Sequence, residues 1–198
     1  MRRVLTLMLT VLMIFTSCAQ AQDKKETTKM DKRVLVVYFS HSNGNTKNIA
    51  EQLREALGAD IARIEPVRPY PPFTHAYCEM TEQCNDEVQR GYCPELKPLD
   101  KDVKDYDVIA VGTPTWWFTM ASPIRTFLRD NDLSGKIVIP FMTHGGYPGH
   151  VIKDIKRLCT GSTFAPSIEV EFDKEGGPVL LTRQQDITRW IEAVKRVL

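Results

Sequence analysis

The sequence predicts an α/β fold in which a five-stranded parallel sheet, of strand order 2-1-3-4-5, has helices on both faces. Short apolar runs alternate with helical patterns along the chain, which is typical of parallel strands joined by right-handed crossovers. Three runs are apolar throughout, as in strands buried on both faces, whereas two are partly polar, as in edge strands. The central strands are predicted at residues 34–39, 107–112 and 136–143, and the edge strands at residues 60–64 and 167–172.

The stretch from residue 34 to residue 57 predicts the first strand, a loop and the first helix. Residues 40–46, SHSNGNT, are rich in hydroxyl and amide groups and contain no Lys or Arg. Because N–H groups at a helix N-terminus attract anions, this loop suits a phosphate monoester held by neutral donors. It is not a Walker A loop, since GxxxxGK[ST] is absent. The alternative is an ordinary strand-to-helix turn capped by Asn45 or Thr46.

The later segments predict two more loops and four more helices. Loops are predicted at residues 114–118 and 144–149, after the third and fourth strands. Pro140 lies inside a predicted central strand, where its missing N–H predicts a bulge or the end of the strand. The later helices are predicted within residues 74–89, from Ser122 with Pro123 at the start, at residues 150–158, and from Thr182 onward.

The N-terminus resembles a bacterial lipoprotein signal. Arg2 and Arg3 precede an apolar run that is too short to span a bilayer comfortably. Residues 1–17 are therefore predicted to be a signal peptide, and Cys18 the lipidated first residue of the mature chain. This predicts an exported protein with a lipid anchor in a bacterial membrane, on the periplasmic side or the cell surface. The alternative is a soluble periplasmic protein, cleaved at the A-x-A sequence of residues 19–21.

The mature chain is predicted to contain a charged tether, residues 18–32, and one folded domain, residues 33–198. Removal of residues 1–17 takes away two Arg and no acid, which leaves 24 basic and 25 acidic residues and a formal charge of −1. This balance does not favour binding to nucleic acid.

Four cysteines follow Cys18. Since an exported chain can form disulfides, the close spacing of Cys78, Cys84 and Cys93 predicts at least one bridge among them. The spacing of these cysteines and of His75 fits no standard zinc site, and no metal is predicted.

Three motifs together give residues 32–198 a resemblance to the flavodoxin family. YFSHSNGNT resembles the family's phosphate loop, S-x-T-G-x-T, with one additional residue. GTPTWW resembles the loop whose aromatic residue covers the flavin ring, and THGGYPG resembles the loop on the other side of the ring. The resemblance implies a flavodoxin-like three-layer sandwich that binds FMN at the carboxyl ends of the first, third and fourth strands.

The resemblance also implies which residues bind FMN. The phosphate is expected on side chains of the first loop, namely Ser40, Ser42, Asn45 and Thr46. Trp116 and Trp117 are expected at the flavin ring. The full set of expected FMN-binding residues is Ser40, His41, Ser42, Asn43, Gly44, Asn45, Thr46, Pro114, Thr115, Trp116, Trp117, Phe118, Thr143, His144, Gly145, Gly146 and Tyr147.

The expected function is FMN-dependent electron transfer, or FMN-dependent reduction of a redox partner protein or a small-molecule acceptor. Electron transfer needs no acid or base side chain, so no catalytic residue is predicted. In a reductase, His144 or Tyr147 could donate a proton near the ring. The alternative function is a binding module that kept the fold and lost both flavin and redox activity.

Overall fold

The computed structural model describes residues 32–75 and 78–198. The predicted signal peptide, Cys18 and nearly all of the predicted tether lie outside these residues. In the described parts of the chain, no helix is both long enough and apolar enough to cross a membrane.

One sheet organises the fold. Its strands are β1 (Val34–Tyr38), β2 (Asp60–Arg63), β3 (Val108–Trp116), β4 (Thr119–Met120), β5 (Ile137–His144), β6 (Thr163–Phe164) and β7 (Ile168–Glu171). The main path is β2-β1-β3-β5-β6, all parallel, and β7 also pairs with β5 in parallel. Only β4 is antiparallel, and it pairs with the end of β3. The predicted order 2-1-3-4-5 is confirmed, with β6 and β7 sharing the fifth position.

In the part of the chain that the structure describes, five α-helices cover the two faces of the sheet, as the three-layer prediction requires. They are α1 (Asn45–Leu57), α2 (Glu79–Arg90), α3 (Ser122–Asp130), α4 (Val151–Leu158) and α5 (Gln184–Lys195). Successive residues of a strand point to opposite faces. Val36 of β1 therefore packs in a core with residues of α1 and α5, and Val37 packs in a second core with residues of α2, α3 and α4.

Pro140 neither ends β5 nor forms a bulge, so that prediction was wrong. β5 continues through Pro140, which lies opposite Val111 of β3 in regular register. The Val138 carbonyl accepts a hydrogen bond from Ala165 N on the edge-strand side. Since backbone groups two residues apart in a strand face the same neighbour, the missing N–H of Pro140 also faces that side. On that side, β6 pairs with residues 137–138 of β5 and β7 pairs with residues 141–144, so neither strand requires a hydrogen bond from Pro140.

The last helix begins at Gln184, two residues after the predicted start. The hydroxyl of Thr182 accepts a hydrogen bond of 2.7 Å from Glu171 N, at the end of β7. Thr182 therefore ties the chain to the sheet and does not cap α5.

The predicted disulfide is absent, because all four cysteines in the described residues are free. Cys78 is the N-cap of α2 and Cys84 lies six residues further along the same helix. At a rise of about 1.5 Å per residue, six helical residues separate the two backbones by about 9 Å, which is too far for a bridge. Cys93 lies beyond the end of α2. The sequence spacing was short, but the helix holds the first two thiols apart.

Candidate functional site

A cavity of about 390 Å³ opens at the carboxyl ends of β1, β3 and β5, within the size range of small-molecule sites. All the expected binding residues line it except Gly44 and Gly146. The structure also adds residues that the sequence analysis did not identify, namely Phe73, Met80, Thr81, Cys84 and Gly176. None of the described residues that line the cavity is Asp, Glu, Lys or Arg. The cavity therefore offers neutral polar donors and aromatic surface.

One end of the cavity is built by residues 40–46 and the start of α1. Ser40 is buried, and its hydroxyl has no hydrogen-bond partner among the described residues. Thr46 is also buried, and its hydroxyl lies 2.8 Å from the hydroxyl of Thr143 on β5. A buried polar atom without a partner is rare in folded proteins and calls for an explanation such as a ligand. This end of the cavity thus presents hydroxyl groups suited to an anion's oxygen atoms.

The start of α1 adds backbone donors to this end. Its N-cap is Gly44, with a φ of 75°, and no side chain caps the helix. The first turn also contains no acidic residue. Uncapped N–H groups at a helix N-terminus favour a negative charge, and no carboxylate of the first turn competes for them here.

Two side-chain amides of the same loop face a different element. Asn45 Nδ2 donates to the carbonyls of Gly176 and Gly177, at 3.0 and 2.9 Å. Asn43 Nδ2 donates to the same Gly176 carbonyl at 3.0 Å. The turn of residues 173–177, between β7 and α5, is thereby joined to the first loop. His41 makes a similar contact on the other side, with Nε2 lying 2.8 Å from the carbonyl of Pro71.

The predicted loop at residues 114–118 is a tight hairpin. β3 continues to Trp116, and the chain reverses at Trp117 and Phe118 before β4. Both turn residues have positive φ, 46° and 66°, a conformation that costs a residue other than Gly roughly 1–2 kcal/mol. Gly149 lies directly against this turn, since a Cβ on it would stand 2.1 Å from the Phe118 carbonyl oxygen. Strained bulky residues of this kind cluster at functional sites, where surrounding contacts hold them.

The two adjacent tryptophans have different environments. Trp116 is buried and packs edge-on against Phe39, with 5.3 Å between ring centroids. Trp117 is 44% exposed, and its Nε1 donates to the Thr81 carbonyl of α2 at 3.2 Å. Trp116 therefore forms an inner wall of the cavity, and Trp117 lies at its mouth. The resemblance to the family implied that both tryptophans lie at the flavin ring, but it did not show that one is buried and the other exposed.

Behind the hairpin, a buried carboxylate fixes its position. The hydroxyl of Thr119 donates to Asp154 Oδ2 at 2.6 Å, and the same carboxylate contacts His150 and Arg157. Burial raises the pKa of Asp154, but the hydrogen bonds from Thr119 and His150 and the adjacent positive charge outweigh it, so the pKa lies below its usual value. His150 N also donates to the Phe118 carbonyl at 2.8 Å. The N-terminal residues of α4 thus fix the strained turn through hydrogen bonds to Phe118 and Thr119.

The third loop, residues 144–149, forms the remaining side of the cavity mouth. Burial lowers the pKa of His144, and the nearby carboxylates of Glu171 and Glu169 offset this only in part. Gly146 N donates to His144 Nδ1 at 3.1 Å, so the neutral ring bears its proton on Nε2. Tyr147 is 71% exposed, and its ring meets that of Phe118 edge-on at 6.2 Å between centroids.

Comparison with known proteins agrees with this fold. The family model described as Flavodoxin matches residues 33–194. A candidate flavoprotein from Bacteroides eggerthii has a TM-score of 0.66 and 26% identity, over 83% of this chain and 99% of its own. A flavoprotein from Lactobacillus acidophilus, solved in complex with FMN, has a TM-score of 0.60 and 24% identity, over 70% of this chain and 93% of its own.

Among characterised sequences, Flavodoxin 1 of Salmonella typhimurium is 24% identical over 109 residues, which is 53% of this chain and 46% of that protein. The chain thus spans about half the length of the curated relatives that it matches.

Proposed function

The chain belongs to the flavodoxin family, and we propose that it binds one FMN in this cavity and exchanges electrons through it. The observation that carries the proposal is the hydroxyl of Ser40. It is buried, lines the cavity and has no partner among the described residues. A phosphate oxygen at this end would satisfy it. The same residues lie in the segment YFSHSNGNT, which resembles the family's phosphate loop, and the Lactobacillus acidophilus flavoprotein of this fold was solved with FMN.

The phosphate would be held by neutral groups. The hydroxyls of Ser40 and Thr46 and the uncapped N–H groups at the start of α1 supply donors without a Lys or Arg in the cavity lining. Hydrogen bonds to a charged acceptor are stronger than neutral ones, so a few such donors suffice. Among the described residues, no cationic side chain lines the cavity itself, and the guanidinium of Arg63, which donates to the Ser40 carbonyl at 3.1 Å, lies outside that lining.

The ring of the cofactor would lie between the second and third loops. When bound, FMN supplies the redox chemistry by accepting and releasing one or two electrons. Trp117 and Tyr147 are exposed at the mouth and offer flat apolar surfaces, while Trp116 forms the inner wall. An apolar wall and a nearby phosphate charge both disfavour extra negative charge on the ring, so they lower its reduction potential.

His144 is the residue best placed to assist a proton transfer. It lines the cavity, and its neutral ring presents an N–H at Nε2 that can donate a hydrogen bond. Because burial lowers its pKa, a proton could be given up only by the less populated imidazolium form. We assign it a donor role only for a reductase reaction, since transfer of electrons alone requires none. The electron acceptor or donor is proposed to be a partner protein or a small molecule that reaches the ring at the aromatic mouth.

An anaerobic reductive titration tests the redox proposal. The protein is loaded with FMN, desalted, and reduced stepwise with dithionite while its absorbance is recorded. We expect the flavin bands to bleach with two electrons per bound FMN and to return on exposure to air. Bound flavin that resists reduction, or that is released on reduction, would contradict a redox carrier.

We also propose that the domain is exported and lipid-anchored through Cys18, from the sequence signal alone. Mass spectrometry of the protein from its native cells is expected to show a mature N-terminus at a diacylglyceryl-modified Cys18. An unmodified N-terminus at Gln22, or an intact Met1, would exclude the anchor.

A further inference from the structure

The two amide side chains of the first loop, Asn43 and Asn45, donate to the backbone carbonyls of Gly176 and Gly177. We propose that they are positioning residues, which fasten the turn of residues 173–177 over the phosphate end of the cavity. The side-chain donors to the phosphate would then be the hydroxyls of Ser40 and Thr46. This inference rests on the proposed FMN function, and it departs from the resemblance-based expectation that Asn45 holds the phosphate.

The donors of Asn45 are fully used. A side-chain amide has two N–H groups. Those of Asn45 have two acceptors, the carbonyls of Gly176 and Gly177, at 3.0 and 2.9 Å. A phosphate on this side chain would therefore have to break one of these bonds, and the Oδ1 atom of the amide would repel it.

Asn43 reinforces the same contact from the other side of Gly44. It donates to the Gly176 carbonyl at 3.0 Å, so this one oxygen accepts from both amides. Gly44 has a φ of 75°, and this left-handed residue lies between the two amides that reach the same turn. The first loop has one residue more than the family pattern, and the longer loop contains a second amide that reaches this turn.

The turn that receives these bonds is itself well fixed. The Asp173 carbonyl accepts from Gly176 N and Gly177 N at 3.0 and 3.2 Å. The Asp173 carboxylate accepts from Val179 N at 2.9 Å. A Cβ on Gly177 would lie 2.5 Å from Asp173 Oδ1, so a larger residue there would displace this carboxylate. Because Gly176 also lines the cavity, fastening the turn closes the wall beside the phosphate end.

The two possible roles of Asn45 predict different ligand selectivity. A phosphate donor contributes to binding of FMN but not of riboflavin, which lacks the phosphate. A residue that positions this wall is expected to affect both ligands, because Gly176 of the wall lines the same cavity as the loops expected at the flavin ring. The ratio of the two affinities therefore separates the roles.

The test compares Asn45→Leu, Asn43→Leu and Ser40→Ala, with Asn48→Leu as the matched control. Leucine has nearly the shape of asparagine and no donor. Asn48 lies on the same helix, and its side chain accepts only from Gln52 among the described residues. FMN and riboflavin are each titrated by quenching of flavin fluorescence. We expect N45L to weaken both ligands by a similar factor, S40A to weaken FMN alone, and N48L to change neither.

Limited proteolysis of the apoprotein measures how readily the turn of residues 173–177 opens when no flavin is bound. Trypsin cuts after Lys174, an exposed residue of the turn, and the fragments are identified by mass spectrometry. Losing two neutral hydrogen bonds should speed this cleavage in apo N45L by about five- to a hundredfold, and losing one should speed it less in N43L. The unfolding midpoint of each variant shows that it is folded.

Two results would overturn the inference. One is an N45L protein that loses FMN affinity but keeps riboflavin affinity, which would make Asn45 a phosphate donor. The other is unchanged cleavage after Lys174 in both Asn variants. If no variant and no wild-type protein binds either flavin, the proposed function fails, whereas the cleavage rates still decide whether the amides hold the turn.

Discussion

The ring of Tyr70 stands edge-on to the indole of Trp116, with 4.9 Å between ring centroids and 78° between ring planes. Tyr70 comes from the Pro-rich segment of residues 67–72 after β2, where no regular element forms. Its hydroxyl donates to the buried Glu87 Oε2 of α2 at 2.6 Å. The inner wall of the cavity is thus supported by a residue 46 positions earlier in the chain, which is itself anchored to α2.

Replacing Tyr70 with Phe should destabilise the protein while keeping the ring packing. The substitution leaves the buried Glu87 carboxylate with only the Gln83 side-chain donor among the described residues. An under-satisfied buried group of this kind costs about 1–3 kcal/mol in the free energy of unfolding. Urea unfolding of wild type and Y70F measures the difference. Equal midpoints and slopes would contradict the anchoring role.

The same substitution should change the pH dependence of stability. Burial and the bond to Glu87 raise the pKa of Tyr70 above the ordinary value of 10.0. The folded state therefore holds this phenol neutral at pH values where the unfolded chain ionises. Its contribution to stability is complete below pH 10 and declines as pH rises from there toward the folded pKa. The unfolding free energy of Y70F should fall less steeply above pH 10 than that of wild type, and parallel curves would contradict this.

Ser40→Ala should separate ligand binding from stability. The Ser40 hydroxyl is buried without a partner, so its removal should leave the apoprotein equally stable or slightly more stable. FMN affinity should fall by about ten- to a hundredfold, since a hydrogen bond to a charged phosphate is worth about 1.5–3 kcal/mol.

Ser122→Ala is the matched control for this change. Its hydroxyl is also buried and without a partner among the described residues, but Ser122 does not line the cavity. S122A should bind FMN like wild type. Equal FMN affinities for S40A and wild type would remove the main support for the phosphate site.

Much of the fold could be predicted from the sequence, because the central strands are apolar throughout and the helical patterns between them dictate a parallel sheet. Pro140 shows where this reasoning stops. A proline in a central strand cannot donate the hydrogen bond that a neighbouring strand needs. Pro140 is tolerated because its nitrogen faces the break between β6 and β7, where no strand pairs with it. Thr182 is a second case, since its hydroxyl bonds to the sheet and does not cap α5.

The site could be predicted only in part. The three loops were identifiable because each follows a central strand, where parallel strands end together. Met80, Thr81 and Cys84 of α2 gave no such signal, because their helix lies in a polar segment whose position depends on the long connection after β2. The different burial of Trp116 and Trp117 could not be predicted from the sequence either, because it depends on the strained hairpin and on the packing of Tyr70 against Trp116.

Trp117→Ala should affect the flavin and not the fold. Trp117 is 44% exposed and makes one side-chain hydrogen bond, so the substitution should lower the unfolding free energy by less than about 1 kcal/mol. It should weaken FMN and shift the potential of bound FMN, measured by equilibration with a reference dye. Trp190→Phe is the contrasting variant, since Trp190 is buried beside Phe141 and bonded to the Pro166 carbonyl at 2.7 Å. W190F should lose stability and leave the potential unchanged, and a reversed pattern would contradict the assignment of the mouth.

Thr119→Val should loosen the hairpin. Valine keeps the shape of threonine but removes the donor to Asp154 Oδ2, so the buried carboxylate loses a partner at a cost of about 1–3 kcal/mol. Thr119→Ser retains the hydroxyl and should restore most of that stability. The emission spectrum of the protein should also shift to the red in T119V, because Trp117 becomes more exposed. Equal stability of the valine and serine variants would show that the hydroxyl does not hold the turn.

Binding of FMN in the cavity can be measured in a single titration. Refolded, desalted apoprotein is added to a fixed concentration of FMN while flavin fluorescence is recorded. We expect saturable quenching with one FMN per chain, and flavin absorbance that stays with the protein through a second desalting step. Unquenched fluorescence at excess protein, together with a colourless protein fraction, would contradict it and would favour a binding module that has lost the flavin.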